Sequence, residues 1–166
     1  MKSEISHNIK HRIIANDIFM TPPKLAKELI DIVPIESGDT ILDSAKGEGA
    51  FFNAFPEGTH KFWCENREGI DFFKEERKFD WIITNPPYSI LDNWIDHTAK
   101  HSNKGFCLLI NTHSITPKRV QEIENYGFSI TKIHLSKVFR WYGIAAFIVC
   151  EKGHKSILSY DRVVWK

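Results

Sequence analysis

The decapeptide "DWIITNPPYS" (residues 80–89) runs an apolar stretch into four residues with definite chemical uses. Trp81-Ile82-Ile83-Thr84 reads as a buried strand. Asn85-Pro86-Pro87-Tyr88 must end it, because successive prolines lack amide hydrogens and have fixed φ angles. At that end, the Asn85 side-chain carbonyl and the Pro86 main-chain carbonyl form a pair of acceptors. Two acceptors suit the two hydrogens of a planar amino group, such as the exocyclic nitrogen of adenine. A nitrogen held in this way gains tetrahedral character and turns its lone pair toward an electrophile. Proline rigidity preorganises both acceptors, and the Tyr88 ring can stack on a base that has left its duplex. The plainer alternative is a proline-terminated strand with a tyrosine in the next turn.

A second stretch, "ILDSAKGEGAFF" (41–52), places Asp43 at a strand end and turns through Gly47 and Gly49 into a helix. Such glycines permit a tight turn and close approach of a ligand, and a helix start offers free amides. Phe52 stands where a nicotinamide fingerprint has its third glycine, and the Gly-Lys-Ser/Thr of a phosphate loop is absent. Asp43 favours a cationic or hydroxyl-rich ligand over a phosphate. Alone, the Gly-x-Gly turn reads equally as a plain strand-to-helix connection.

These residues need a scaffold, and the rest of the chain supplies a periodic one. "TPPKLAKELIDIV" (21–33) predicts a helix capped by Thr21, with Leu25, Leu29, Ile32 and Val33 on one face. Strands are expected at 40–43, 61–66, 79–85 and 104–111, the last apolar enough to be buried on both sides. Helices are expected at 89–101, with Ile90, Leu91, Trp94 and Ile95 on its apolar, core-facing side, and at 116–127, the second closed by Gly127. "FSITKIHL" (128–135) and "GIAAFIVCEKG" (143–153) are late strands with no room between them for a helix, so they should pair antiparallel. Strands alternating with helices predict a mostly parallel α/β sheet that closes on an antiparallel pair. Open sheets of this kind bind ligands at the carboxyl ends of their strands.

With 166 residues, the chain suits one domain over residues 1–166, with residues 1–18 a flexible leading segment. A formal charge of +1 gives no global attraction to nucleic acid or membrane, so any basic surface must be local. No apolar run approaches the roughly 20 residues of a membrane helix, and "MKSEISHNIKHR" lacks the apolar centre of a signal peptide. Cys64, Cys107 and Cys150 are odd in number and each falls in an expected strand, which suits reduced, buried thiols in a cytoplasmic protein. His97 and His101 have the spacing of a metal pair but no third ligand, so a solvated helix face is expected there and no metal.

Together, "FMTPPKLAKELI", "ILDSAKGEGAFF" and "TNPPYS" resemble, in order over residues 19–89, the S-adenosylmethionine-dependent N6-adenine DNA methyltransferases that carry an Asn-Pro-Pro-Tyr motif. The resemblance implies a Rossmann-like class I methyltransferase fold, S-adenosylmethionine as cofactor, and in-line methyl transfer governed by positioning. By that resemblance Met20, Thr21 and Pro22 would contact the methionine end of the cofactor. Asp43, Ser44, Gly47, Gly49 and Phe51 would line its amino-acid and ribose portions. Glu65 would accept from the ribose hydroxyls, and Asp71-Phe72 would read the cofactor's adenine. Asn85 and Pro86, supported by Pro87, would hold the target amino group, and Tyr88 would stack on the target base. Ser44 departs from the family's usual proline, and Lys46 adds a charge beside the loop. Only "NREGI" separates Glu65 from Asp71, where a helix and a strand usually intervene, so the sheet is expected to lack an edge strand. Asp71 also reads as a simple N-cap before "FFKEER".

Target recognition has little sequence left to it after Tyr88. The best candidate is "HLSKVFRWYG" (134–143), where His134, Lys137 and Arg140 alternate with Phe139, Trp141 and Tyr142. Cations suit phosphates and aromatics suit unstacked bases, although a hairpin with a half-buried aromatic face gives the same pattern. "THSITPKR" (112–119) and "NIKHR" (8–12) are lesser basic runs. Recognition would otherwise fall to a partner subunit. The alternatives left open are RNA adenine, a protein glutamine amide, or a non-catalytic subunit of a methyltransferase complex. The biological setting stays equally open.

Overall fold

The computed structural model describes residues 20–138 and 143–163. Its elements are α1 (Pro23–Ile30), β1 (Thr40–Asp43), α2 (Ala50–Ala54), β2 (His60–Trp63), β3 (Phe79–Thr84), α3 (Leu91–His101), β4 (Ser102–Asn111), α4 (Pro117–Asn125), β5 (Phe128–Ser136) and β6 (Ala145–Lys152). The sheet order is β2-β1-β3-β4-β6-β5. The β1–β2, β1–β3 and β3–β4 pairings are parallel, and β6 runs antiparallel to both β4 and β5. This is the mixed sheet with a closing antiparallel pair that the alternation of elements predicts.

Side chains alternate across the central strands into two cores. Leu42, Ile82, Phe106, Leu108, Ile148 and Cys150 face one way, joined by Leu91, Trp94 and Ile95 of α3 and by Val120 and Ile123 of α4. Ile41, Trp81, Ile83, Cys107, Leu109, Phe147 and Val149 face the other, against Ala26, Leu29 and Ile30 of α1 and Phe51 of α2. Strands buried on both faces explain the unbroken apolar run of β4. All three cysteines are free and buried. Among the described residues, no helix is long and apolar enough to cross a membrane.

Several expected details differ. The first helix stops at Ile30, where the chain tightens through Ile32 N–H to the Leu29 carbonyl and Val33 N–H to the Ile30 carbonyl. Its buried face is therefore Ala26, Leu29 and Ile30, with Leu25 and Ile32 only partly covered. Thr21 does not cap the helix: Pro22 is the N-cap and makes no side-chain bond. The second strand ends at Trp63, which leaves Glu65 just beyond it. The link from Glu65 to β3 contains two single turns, Asn66–Glu68 and Phe72–Lys74, and no strand, so β2 is the sheet's edge.

Asp43, at the carboxyl end of β1, is 1% exposed. Its Oδ1 accepts from the Thr84 hydroxyl at the end of β3 (2.8 Å) and from the Ala45 amide (3.4 Å), and the Phe52 amide of α2 adds a bond to the same carboxyl group. The Thr84 hydroxyl also accepts from the Ala45 amide at 3.0 Å. One buried group thus ties together two strand ends, the glycine loop and the helix after it. Burial outweighs these bonds and pushes the Asp43 pKa up to about 7.

Two outcomes follow from this architecture. A methyl placed on Gly105 would lie 2.5 Å from both the Cys150 carbonyl oxygen and the Trp81 ring, neither of which has room to move aside. Gly105→Ala should therefore destabilise the protein by about 1–3 kcal/mol, as in other overpacked cores, read as a lower urea midpoint at unchanged slope. The second outcome concerns Asp43, which in the unfolded chain deprotonates near 3.8 but in the folded chain keeps its proton to about 7. The folded state binds the extra proton between those values, so Asp43 makes stability fall as pH rises from about 4 to about 7. Urea titrations of the ligand-free protein across that range should show a flatter dependence for Asp43→Asn. An unchanged slope would mean that Asp43 is ionised throughout.

Candidate active site

The parallel strands β1, β2 and β3 all end on one side of the sheet, and a cavity of about 490 Å³ opens there. It is lined by Ser44, Ala45 and Gly47 of the loop after β1, by Glu65, Asn66 and Arg67 after β2, and by Asn85 and Pro87 after β3. Met20, Asp71, Phe72, Phe73, Ile90 and Trp94 complete the wall. Three segments remote in sequence converge because the parallel register aligns Ile41 with both Lys61 and Trp81.

Gly47 and Gly49 adopt φ of +53° and +84°, a left-handed backbone that glycine reaches without cost. The Gly47 amide consequently points at Glu65 and donates to its Oε2 at 2.7 Å. The other carboxylate oxygen, Oε1, accepts from the amide and the Nε of Arg67, both at 3.1 Å. Burial works to raise the Glu65 pKa, but the Arg67 and Gly47 amides and the Arg67 guanidinium outweigh it and hold the group below its ordinary value. Glu65 is thus an anchored anion in the cavity wall. Lys46, the extra charge beside the loop, pairs with Glu68 at 3.1 Å and lies 3.6 Å over the Trp63 ring.

Asp71 caps the turn after it, accepting from the Phe73 amide at 3.0 Å, and also lines the cavity. Phe72 is buried, its ring 4.8 Å from Trp94, whereas Phe73 is 40% exposed and stands edge-on to Trp94 at 5.3 Å. The Trp94 indole N–H donates to the Ser44 hydroxyl at 3.2 Å. The cavity therefore has one polar end, Gly47 and Glu65, and one aromatic wall of Phe72, Phe73 and Trp94.

Asn85 is held at the far side. Its Nδ2 donates to the Thr21 hydroxyl at 3.3 Å, and its Oδ1 accepts from the Tyr88 hydroxyl at 3.3 Å. The Tyr88 hydroxyl lies equally close to the Leu109 carbonyl (3.4 Å), and the Tyr88 ring packs on the core, outside the cavity wall. Pro86 is buried.

Of the residues singled out from sequence, Met20, Ser44, Gly47, Glu65, Asp71, Phe72, Asn85 and Pro87 share this one cavity. Thr21, Pro22, Asp43, Gly49, Phe51, Pro86 and Tyr88 do not line it. Phe51 points away altogether, stacked on Phe147 at 5.9 Å in the opposite core. Trp94, Phe73 and Ile90 are cavity residues that the sequence reading missed. Trp94 reads there as plain core, and only its indole N–H hints at a polar neighbour.

His97 is not on a solvated face: it packs edge-on to Phe72 at 4.6 Å and contacts the Glu75 carbonyl through Nε2. Burial, helped by His101, holds its pKa below the ordinary histidine value. Among the described residues, no group of three or more His, Cys, Asp and Glu side chains could hold a metal ion. Of the proposed recognition loop, His134 and Lys137 are exposed, and Phe139, Arg140, Trp141 and Tyr142 lie outside the described residues, as does the basic run at 8–12. Lys118 and Arg119 both bond Asp92, which ties α4 to α3 and leaves them a structural task.

No family model matches the chain. In sequence it is 33% identical over 84 residues to the type II methyltransferase M.EcoRI of Escherichia coli, an alignment that covers 51% of this chain and 23% of that protein. The chain thus spans less than a quarter of that relative's length. In structure it is similar to magnesium protoporphyrin IX methyltransferase from Synechocystis PCC 6803 with bound SAM, at 13% identity and a TM-score of 0.60 over 91% of this chain and 96% of that one. It is also similar to a modification subunit of a type I restriction enzyme from Vibrio vulnificus YJ016, at 15% identity and a TM-score of 0.58, covering 93% of this chain and 49% of that one. The chain has the Rossmann-like methyltransferase fold.

Proposed function

We propose that this chain is an S-adenosylmethionine-dependent methyltransferase that methylates the N6 amino group of adenine in DNA. The observation that carries the reading is one cavity in which Gly47 and Glu65 face the same space as Asn85. A methyl donor and an amino acceptor would meet there without either crossing the protein. S-adenosylmethionine supplies, when bound, an electrophilic methyl group on a sulfonium centre.

The chain's own residues have separable tasks. Glu65 accepts from a ribose hydroxyl, while the Phe72, Phe73 and Trp94 wall with Asp71 receives the donor's adenine. Thr21 fixes the Asn85 amide by taking its N–H, so the carbonyl end is the end offered to the target. The target's N–H replaces the Tyr88 hydroxyl on Asn85 Oδ1, a long bond of 3.3 Å that costs little to exchange. By the family resemblance the second N–H goes to the main-chain carbonyl of Pro86, a residue that is buried and not among those lining the cavity. Rate then comes from alignment of nitrogen, methyl and sulfur.

Sequence similarity to a type II methyltransferase and structural similarity to a restriction-enzyme modification subunit favour DNA as the acceptor and restriction–modification as the setting. The two ends of the β5–β6 connection support a role in recognition, because Ser136 pairs with Ala145 and Ala145 with Asn111 at the end of β4, on the side of the sheet where Asn85 lies. We assign nucleic-acid contact to Lys137, Phe139, Arg140 and Trp141 within it, and further recognition to a partner subunit.

The test is mass spectrometry of nucleosides after incubation with deuterium-labelled S-adenosylmethionine and duplex DNA, single-stranded DNA or structured RNA. Label is expected in N6-methyladenine from DNA, and Asn85→Ala should lower it by about a hundredfold or more while leaving S-adenosylhomocysteine bound. Undiminished turnover by Asn85→Ala would sink the mechanism. Label confined to RNA would move the acceptor class, and binding without label in any pool would leave a cofactor-binding subunit.

A further inference from the structure

We infer that Arg67 is the positioning residue of this site: it holds the Glu65 carboxylate in one rotamer, facing the ribose of the bound donor. The inference rests on the methyl-donor reading above. Glu65 follows an edge strand, so among the described residues no neighbouring strand on its outer side keeps it in place. On the inner side it has the Gly47 amide; on the outer side it has the single turn 66–68, folded back so that Ile70 bridges to Glu65. That turn brings both the amide and the Nε of Arg67 onto Oε1 at 3.1 Å. Arg67 itself lines the cavity with about half of its side chain, 51%, exposed.

The charge balance around Glu65 depends on this arginine. Glu68 and Asp71 from the link are acidic, Asp43 behind the wall keeps its proton to about pH 7, and Lys46 from the glycine loop is committed to Glu68. Burial alone would favour a protonated Glu65, and the Arg67 contacts are among those that reverse this. A carboxylate offers roughly four acceptor positions. The three protein donors leave about one for a ligand hydroxyl, so the rotamer decides whether that position faces the ligand.

The test is calorimetric binding of S-adenosylhomocysteine, and of its analogue lacking both ribose hydroxyls, between about pH 5 and pH 8. Arg67→Ala should weaken S-adenosylhomocysteine by about tenfold near neutral pH, and by more as the pH falls, because less opposes the burial of the Glu65 carboxylate. The analogue should bind wild type and Arg67→Ala within about twofold, and Arg67→Lys should recover part of the loss. An Arg67→Ala affinity within about twofold of wild type at every pH would overturn the inference, as would an equal loss for both ligands. Failure of the wild-type protein to bind S-adenosylhomocysteine would instead overturn the methyl-donor reading, and this inference with it.

Discussion

The buried hydrogen bond from the Thr84 hydroxyl to Asp43 is the constraint on which the site depends. A carboxyl group out of water must find donors, and the ones Asp43 takes come from the neighbouring strand, the glycine loop and the start of α2. Collecting them bends the chain sharply after β1, which is why glycines with left-handed φ follow at 47 and 49. The bend turns the Gly47 amide outward to Glu65. On the β3 side, the same bond fixes Thr84, the residue directly before Asn85. The Gly47–Glu65 side and the Asn85 side of the cavity are thus set relative to each other by one contact that itself lies behind the cavity wall.

The short link between Glu65 and Asp71 has a second set of consequences. Among the described residues, no strand lies beyond β2 to support the glycine loop from outside the sheet edge. The turn 66–68 substitutes for it by sending consecutive residues in different directions. Arg67 returns to Glu65, and Glu68 reaches Lys46. The backbone reinforces this with the Lys46 amide on the Cys64 carbonyl at 2.9 Å. Isolated surface ion pairs contribute little, typically below about 1 kcal/mol. Here their value is geometric: Lys46–Glu68 joins the loop after β1 to the turn after β2, and Arg67 holds Glu65, which takes the Gly47 amide of the same β1 loop. Lys46, out of place beside a ligand loop when read in the sequence, becomes part of that latch.

Legibility followed the range of the interactions. Asn85, Gly47 and Glu65 were readable because each sits at a strand end with a backbone requirement that a few residues reveal: a donor-less stop, a left-handed turn, a terminal acid. Asp71 was readable in both its senses, and the structure has it capping a turn and lining the cavity at once. Trp94 was read as core because its helical spacing matches Leu91 and Ile95. Its ring does lie in the core, and only the meeting of α3 with the loop after β1 exposes the indole edge to Ser44 and the cavity. Thr21 was read as a helix cap, a local role. Its hydroxyl instead meets Asn85, sixty-four residues away.

By itself the sequence determined the alternation of elements, the mixed sheet, the edge at β2 and the end of β3 at the Asn85-Pro86-Pro87-Tyr88 stop. All of these rest on periodicity, proline and glycine, whose effects act within a few residues. Only the tertiary structure decided which chemically able residues share one space. It brought Phe73 and Trp94 in, left Phe51 on the opposite face and Asp43 behind the wall, and set Tyr88 against Asn85. The physical reason is that sheet register and helix packing are chosen by the two apolar cores as a whole. A side chain's final direction follows from that choice and cannot be read from its immediate neighbours in the chain.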